Sequence, residues 1–489
     1  MPLQPIPLGA RTNPDRANDD GAAVLINCYA EDASEEGKAR LPIYACDGFA
    51  AFSTLTGSGS GGIRGFLNLD DTTLYTVTGS RLNRVTTAGV ATDVAAVTGT
   101  GPVYMARNRK AATPQIAMVP SSGGSYYIVE NNVVSEPTLD ADIPKSLFNS
   151  VCAIDGYFVI TLSNGEWYIS GIDASTVDEL DFTTATSNPD GLTRGLVRGR
   201  DLCLMGPRST EFYVNTGAAD FPFERIHTSS VGIYSGPTAV ALTAASDGAT
   251  ADTIIWAASN ADGAFIGIMM LGGYEARKIS APWVDRAFRD AIAAFPQSIR
   301  AFSHTRNGTT FYTLTSYTFT AEYNTRTGWW HKRTSASLED YWQIVDAATF
   351  NGQTIYGSFS AAALYQASHN ITPGSASVLS LKQSFDGGFT WNTTRTAAIG
   401  GSGQERTRAK FLRLGQSKED GRVIELAISN AVMEAGTGNS MTVRPPPIHA
   451  WPAGTVLNAL HVDVSSGASL TNRPKGIFLL SGDIEGIAP

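Results

Sequence analysis

Tyr157-Phe-Val-Ile-Thr-Leu162, Ser163-Asn-Gly165, Trp167-Tyr-Ile169 is the stretch from which the rest of the chain can be read. A β-branched and apolar run, a cluster of turn formers and a second short run with aromatic side chains spell strand, tight turn, strand. The same shape returns at residues 74–85 around Gly79-Ser80, at 126–134 around Asn131-Asn132, and at 202–214 around a Gly-Pro-Arg-Ser turn. It returns again at 254–268, at 309–323 and at 354–366. The second strand of each pair carries an aromatic or large apolar anchor. These anchors recur every ~40–55 residues, the repeat length of propeller blades. Shape repeats here, not sequence. A single four-stranded blade cannot bury both of its faces, whereas a ring of blades buries both and leaves only short edges. The expected fold is therefore all-β, a β-propeller of about seven blades. A sandwich assembly rarely keeps such even spacing, and solenoid repeats are usually shorter.

One segment breaks the β pattern. PWVDRAFRDAIAAF, residues 282–295, places Val284, Phe288, Ala291, Ile292 and Phe295 on one helical face. Pro282 suits a first helical turn and Pro296 stops the helix. The reading is one helix inserted between blades, packed on the propeller flank or lying at a contact between subunits. Around residues 371–376 the composition turns to turn formers, which marks a boundary. The expected division is an N-terminal segment (1–50), partly strand and joining the propeller, then the propeller (51–372), then a C-terminal β module with an extended tail (373–489).

With 36 basic against 45 acidic residues the net charge is −9. A protein built to grip nucleic acid usually shows a basic excess. A mildly acidic wall is compatible with a pore that lets DNA pass without holding it. The four cysteines form no CxxC and sit near no histidine at ligand spacing. Reduced, buried thiols are expected, with a Cys28–Cys46 disulfide as the lesser reading. Residues 1–20 are polar and Pro-rich without an apolar run, so no secretion signal is expected.

Catalysis needs convergent acids, bases or nucleophiles. HExxH, GxSxG and GxxxxGK[ST] are absent, and the six histidines are scattered. The Gly-rich stretch 57–62 continues as strand, whereas a phosphate loop opens a helix. No catalytic residue, no cofactor site, no metal site and no small-molecule substrate is expected, and the protein reads as no enzyme. Ser384-Phe-Asp386-Gly-Gly388-Phe-Thr390-Trp391 fits S-x-D-x-G-x-T-W and resembles the Asp box of sialidase-type propellers. Its physical role is a stabilised hairpin: Ser384, Asp386 and Gly388 shape the turn and Trp391 packs beneath it. This single copy supports the alternative function, a carbohydrate-binding or sialidase-like propeller. Arg406, Arg408 and Lys410 alternate with Thr407, Ala409 and Phe411, and Arg413 follows. On a strand that places the cations on one face, for contact with DNA or an acidic partner, or as a solvated surface.

Three further stretches carry a family resemblance. They are Arg11-Thr-Asn-Pro-Asp-Arg16 with Leu25-Ile-Asn27-Cys-Tyr29-Ala-Glu31, then Lys278-Ile-Ser-Ala-Pro282 with its helix, then residues 378–430. The last includes the Asp-box segment, Leu412-Arg-Leu-Gly415 and Glu425-Leu-Ala-Ile-Ser429. Together they resemble the tail hub, or nozzle, proteins of short-tailed bacteriophages, also called packaged-DNA stabilisation proteins. Where that family often has Pro-Gly-Leu, this chain has Cys46-Asp47-Gly48-Phe49. The resemblance implies a structural virion protein forming a hexameric ring below the portal and its adaptor. It implies retention of packaged DNA, an ejection channel for double-stranded DNA without sequence-specific binding, and docking of spikes or fibres and a needle or plug. It also implies assembly in the host cytoplasm and residence in the virion tail.

Overall fold

The computed structural model describes residues 4–6, 8–9, 12–14, 23–32, 41–56, 61–246, 249–336, 340–368, 378–386, 388–399, 406–416, 422–434, 437–445, 456–466 and 477–487. Seven antiparallel units, six of four strands and the fifth of five, follow one another through residues 63–368. Their innermost strands are Ile63–Asn68, Val103–Arg107, Phe148–Ile154, Arg194–Arg198, Val240–Ser246, Arg300–Arg306 and Ile344–Phe350. Each packs beside the next, and the seventh packs beside the first, so the ring closes as a β-propeller. Six blades are unbroken runs of chain. The seventh takes its outermost strand, Gly48–Thr54, from the N-terminal side, paired antiparallel with Ala363–Ser368. That exchange ties the start of the ring to its end, so opening the ring requires breaking a strand ladder.

Seven hydrophobic clusters fill the seven interfaces between neighbouring blades. Trp167 shows how the anchors work. It is fully buried and meets Tyr213, Phe221 and Phe223 of the following blade edge to face, at 5.1, 5.1 and 5.8 Å between centroids. The strand pairs quoted from the sequence are mostly the second and third strands of each blade, where both faces are covered. Asn131, Asn132 and the Asn307-Gly308 pair turn the hairpins with positive φ, the backbone hand that matches strand twist.

The helix Pro282–Ala294 links blades five and six. Val284, Phe288 and Ala291 are buried in the cluster between those blades, so it packs on the propeller. Phe295, expected on the buried face, is 40% exposed, and Trp283 is buried in its stead. The chain leaves helical geometry at Phe295, which frees that ring from the apolar face.

The C-terminal module is a two-sheet sandwich that also takes in N-terminal chain. One sheet holds Cys28–Ala30, Ile43–Ala45, Ile477–Ile487, Val456–Ser466 and Arg406–Gln416, with Gln4–Ile6 paired to Ile477–Ile487. The facing sheet holds Val24–Ile26, Thr437–Arg444, Val423–Glu434, Val378–Ser384 and Arg395–Ala398. Their shared core includes Leu25, Cys28, Ile43, Leu379, Phe411, Ile428 and Val462. The N-terminal segment is thus divided: residues 48–54 serve the propeller, while residues 24–30 and 43–45 complete the sandwich. Residues 456–466 and 477–487 extend the sandwich as long strands. Its second sheet runs on into the propeller, by parallel pairing of Ile26 with Lys332 and of Glu434 with Phe49. Blades six and seven and half of the sandwich therefore form one continuous sheet.

Candidate functional site

The cation row lies on the sandwich strand Arg406–Gln416. Alternation holds from Arg408 to Phe411: Arg408 and Lys410 are exposed, Ala409 and Phe411 buried. A bulge between Leu412 and Gly415 then breaks it, with Arg413 at φ 55° and Leu412 54% exposed. Arg413 is exposed but leaves the register of the row, because the extra residue turns it off the pleat. Arg408 is engaged across the strands, with Nε donating to Asp463 Oδ1 at 2.7 Å and Nη2 to Oδ2 at 3.1 Å. The side chain of Arg406 lies outside the described residues. What remains is a short positive edge of Lys410 and Arg413 beside a paired Arg408, a modest surface for an acidic partner.

The Asp-box segment forms the expected hairpin end between Val378–Ser384 and Arg395–Ala398. Ser384 Oγ donates to Asp386 Oδ1 at 2.6 Å and accepts from the Gly388 amide at 2.8 Å. The Thr390 amide donates to Asp386 Oδ1 at 2.8 Å, and Gly388 takes φ 100°. These hydroxyl and amide donors hold the Asp386 carboxyl below the usual range. Trp391 is only half-buried and lies under the Arg444 guanidinium, 5.2 Å from its ring centroid. The box lies on the sandwich, outside the propeller, and its carboxylate is engaged by its own turn.

The most strongly coupled charges were not singled out from the sequence. They lie where blade six meets the chain entering blade seven. Glu322, 1% exposed, accepts from His331 Nε2 at 2.8 Å and from Arg333 Nη1 at 3.4 Å, with His304 Nε2 at 3.6 Å. Arg333 Nη2 donates to the Asp47 carbonyl at 2.9 Å, Arg306 Nη1 to the Ala45 carbonyl at 2.6 Å, and Arg306 Nε faces Asp47 Oδ1 at 3.0 Å. Cys46 Sγ is 3.5 Å from His331 Nε2. Burial alone would raise the Glu322 carboxyl, but Arg333, His304 and His331 hold it well below the usual range. Burial lowers His304. It would lower His331 too, but Cys46 and Glu322 push that imidazole up to about 9. Cys46, Glu322 and His331 offer ligand atoms close enough together for a metal, yet Arg333 already supplies the positive charge on Glu322. The cluster fastens residues 45–47, the hinge between sandwich and propeller. The signals for it were charged residues interrupting apolar strands, as in Ala321-Glu322-Tyr323, and Cys46-Asp47 itself, where the chain departs from the family pattern. All four cysteines are free and buried.

On the propeller axis the innermost strands line a half-open cavity of about 480 Å³. It is closed to anything wide. The Tyr104 ring of blade two lies 3.5 Å beneath the Arg194 guanidinium of blade four. The Tyr104 hydroxyl reaches to 3.3 Å from where a side chain on Gly236, before blade five, would start.

The chain aligns with virginiamycin B lyase from Staphylococcus aureus at TM-score 0.43 and 11% identity, over 64% of this chain and 97% of that one. It aligns with the WD40 β-propeller domain of Doa1 at TM-score 0.37 and 11% identity, over 66% and 98%. Comparison with curated proteins finds no match by sequence. A family model described as bacteriophage P22 Gp10, β-propeller, matches residues 6–372. That span runs from the first sandwich strand through all seven blades, and the chain accordingly belongs to the bacteriophage P22 Gp10 β-propeller family of phage structural proteins.

Proposed function

We propose that this protein is a tail hub, or nozzle, subunit of a short-tailed phage. In this reading it assembles without catalysis into a closed ring, retains packaged DNA and forms the channel through which that DNA leaves. The observation that carries the reading is the family match over the whole propeller. The shape of the propeller adds a constraint. Its own axis is blocked by Tyr104 and Arg194, so a duplex has to pass through a pore enclosed by several copies. Heterologous contacts that close by rotation generate such a ring, here six copies. A net charge of −9 suits a wall that lets the polyanion slide and does not hold it. The sandwich, fused to blades six and seven by a continuous sheet, is a rigid mount for neighbours: the adaptor ring on one side, spikes or fibres and a needle or plug on the other. Assembly would take place in the host cytoplasm and the product reside in the virion tail.

Particle imaging and mass measurement of the purified full chain, alone and with the adaptor ring of the same phage, test this. A closed six-fold ring with a pore wide enough for duplex DNA is the expected result. A chain that stays monomeric under both conditions would sink the hub reading.

A further inference from the structure

We propose that the propeller axis carries a binding site for a small oxyanion ligand, a carboxylate or phosphoryl group held by Arg194 and Arg300. Both arginines line the axial cavity, from blades four and six. Arg194 stacks on Tyr104, and its Nε and Nη1 are shielded from solvent with no hydrogen-bond partner among the described residues. Arg300 uses Nη1 on the carbonyls of Gln297 and Ile299, at 3.1 and 2.9 Å. Neither has a carboxylate within 4.0 Å among the described residues. Arg64, on the same wall, is different. Its three nitrogens each donate to a carbonyl, of Gly101, Gly79 and Thr98, so three of its five N–H groups are already engaged and it contributes mainly positive charge.

Charge decides the class of ligand. Among the described residues the one carboxylate lining the cavity is Asp346, from blade seven, which accepts the Ala347 amide at 2.9 Å. Burial raises this carboxyl to about 7, even though Arg300 and Arg194 lower it. Arg64, Tyr104, Arg194 and Arg300 are the ionisable or charged groups that face it from blades one, two, four and six. Near neutrality the cavity thus holds three guanidiniums against at most one negative charge. A guanidinium removed from water with unused N–H groups is costly until an oxygen acceptor meets it, and its planar fork matches a carboxylate or phosphoryl group. The volume admits a small metabolite or a free oxyanion but no polymer.

Asp346 gives the site a signed pH dependence. Ionised, it repels an anion; protonated, it does not. Affinity therefore rises as pH falls through about 7. If only the protonated form is competent, affinity at pH 8 is about tenfold weaker than at pH 6.

Isothermal titration of the full chain with sulfate, and separately with succinate, tests the proposal at fixed ionic strength set with chloride. Sulfate keeps its charge across this pH range, so a change in its affinity belongs to the protein. Saturable binding of either anion is expected, and the preference between them tells a phosphoryl-type site from a carboxylate site. Arg194→Gln and Arg300→Gln should each weaken binding at least tenfold. Asp346→Asn should strengthen binding at pH 8 about tenfold and remove the difference between pH 6 and pH 8. It does not depend on how well the arginine variants fold. No saturable binding of either anion, or binding that none of the three substitutions changes, overturns the proposal.

Discussion

At the scale of single residues, Glu322 is the side chain with the most to lose. Its carboxylate balances Arg333 and His331 in an interior where neither can reach water. Glu322→Gln leaves those cations uncompensated, and removing one partner of a buried ion pair costs roughly 3–5 kcal/mol. Urea unfolding of the variant against the parent measures this, and a change below about 1 kcal/mol would show that the cluster does not hold the hinge. The same group sets a pH window. His331 is raised from 6.5 to about 9, so its stabilisation is complete below 6.5 and lost as pH climbs through 9. Glu322 is depressed from 4.5, so its share is present above that value and lost as pH falls. Melting temperature should therefore decline between pH 6.5 and 9.5 in the parent, and decline less in His331→Gln. Little of this could be read from the sequence. His304, Glu322 and Arg333 meet through strand pairing within blade six, whereas Asp47 reaches them from the far N-terminal side of the chain, where no sequence pattern links it to them. The cation row was legible as a pattern, but not the bulge at Leu412 that ends it or Asp463 opposite Arg408.

At the scale of elements, spacing and aromatic anchors carried most of the information. The strand pairs read from the sequence each fall within one blade, because a strand buried on both faces writes a dense apolar run that turn residues cut cleanly. The helix was legible for a similar reason, from its 3.6-residue apolar period between two prolines. Exposure of particular rings was harder to foresee, and two tryptophans show the difference. Trp167 is fully buried between blades three and four, so Trp167→Ala should cost roughly 3–5 kcal/mol. Trp391 packs beneath the Asp-box turn but stays half-buried against Arg444, so Trp391→Ala should cost only about 1–2 kcal/mol. Thermal unfolding of the two variants side by side checks the ranking. Equal losses would mean that the Asp-box hairpin matters as much to the fold as a blade interface.

At the scale of the whole molecule, the linear order of domains misleads. Composition puts a boundary near residue 372, the last residue of the family match; that position lies outside the described residues, between the propeller strand ending at Ser368 and the sandwich strand beginning at Val378. Yet the stretch 378–430, the longest part of the sequence resemblance, lies beyond that match, in a sandwich the N-terminus helps to build. Two strand exchanges cause this. Residues 48–54 close the propeller, and residues 24–30 and 43–45 supply strands to both sandwich sheets. A chain ending at residue 376 is therefore not a free propeller. It strips the facing layers from Leu25, Cys28, Ala30 and Ile43, all buried in the sandwich core. It also leaves the edge at Val24–Ile26 without its antiparallel partner, Thr437–Arg444. Exposed apolar strands with open edges pair with one another, so this truncation should aggregate, or melt well below the parent. Removing residues 1–46 as well takes those strands away while keeping Gly48–Thr54 for blade seven. That shorter chain, residues 47–376, should be the more soluble of the two despite containing less protein. Size-exclusion chromatography and thermal melts of both chains decide the matter. If the chain ending at 376 behaves as a monodisperse propeller, the N-terminal strands do not depend on the sandwich, and the two units are separate after all.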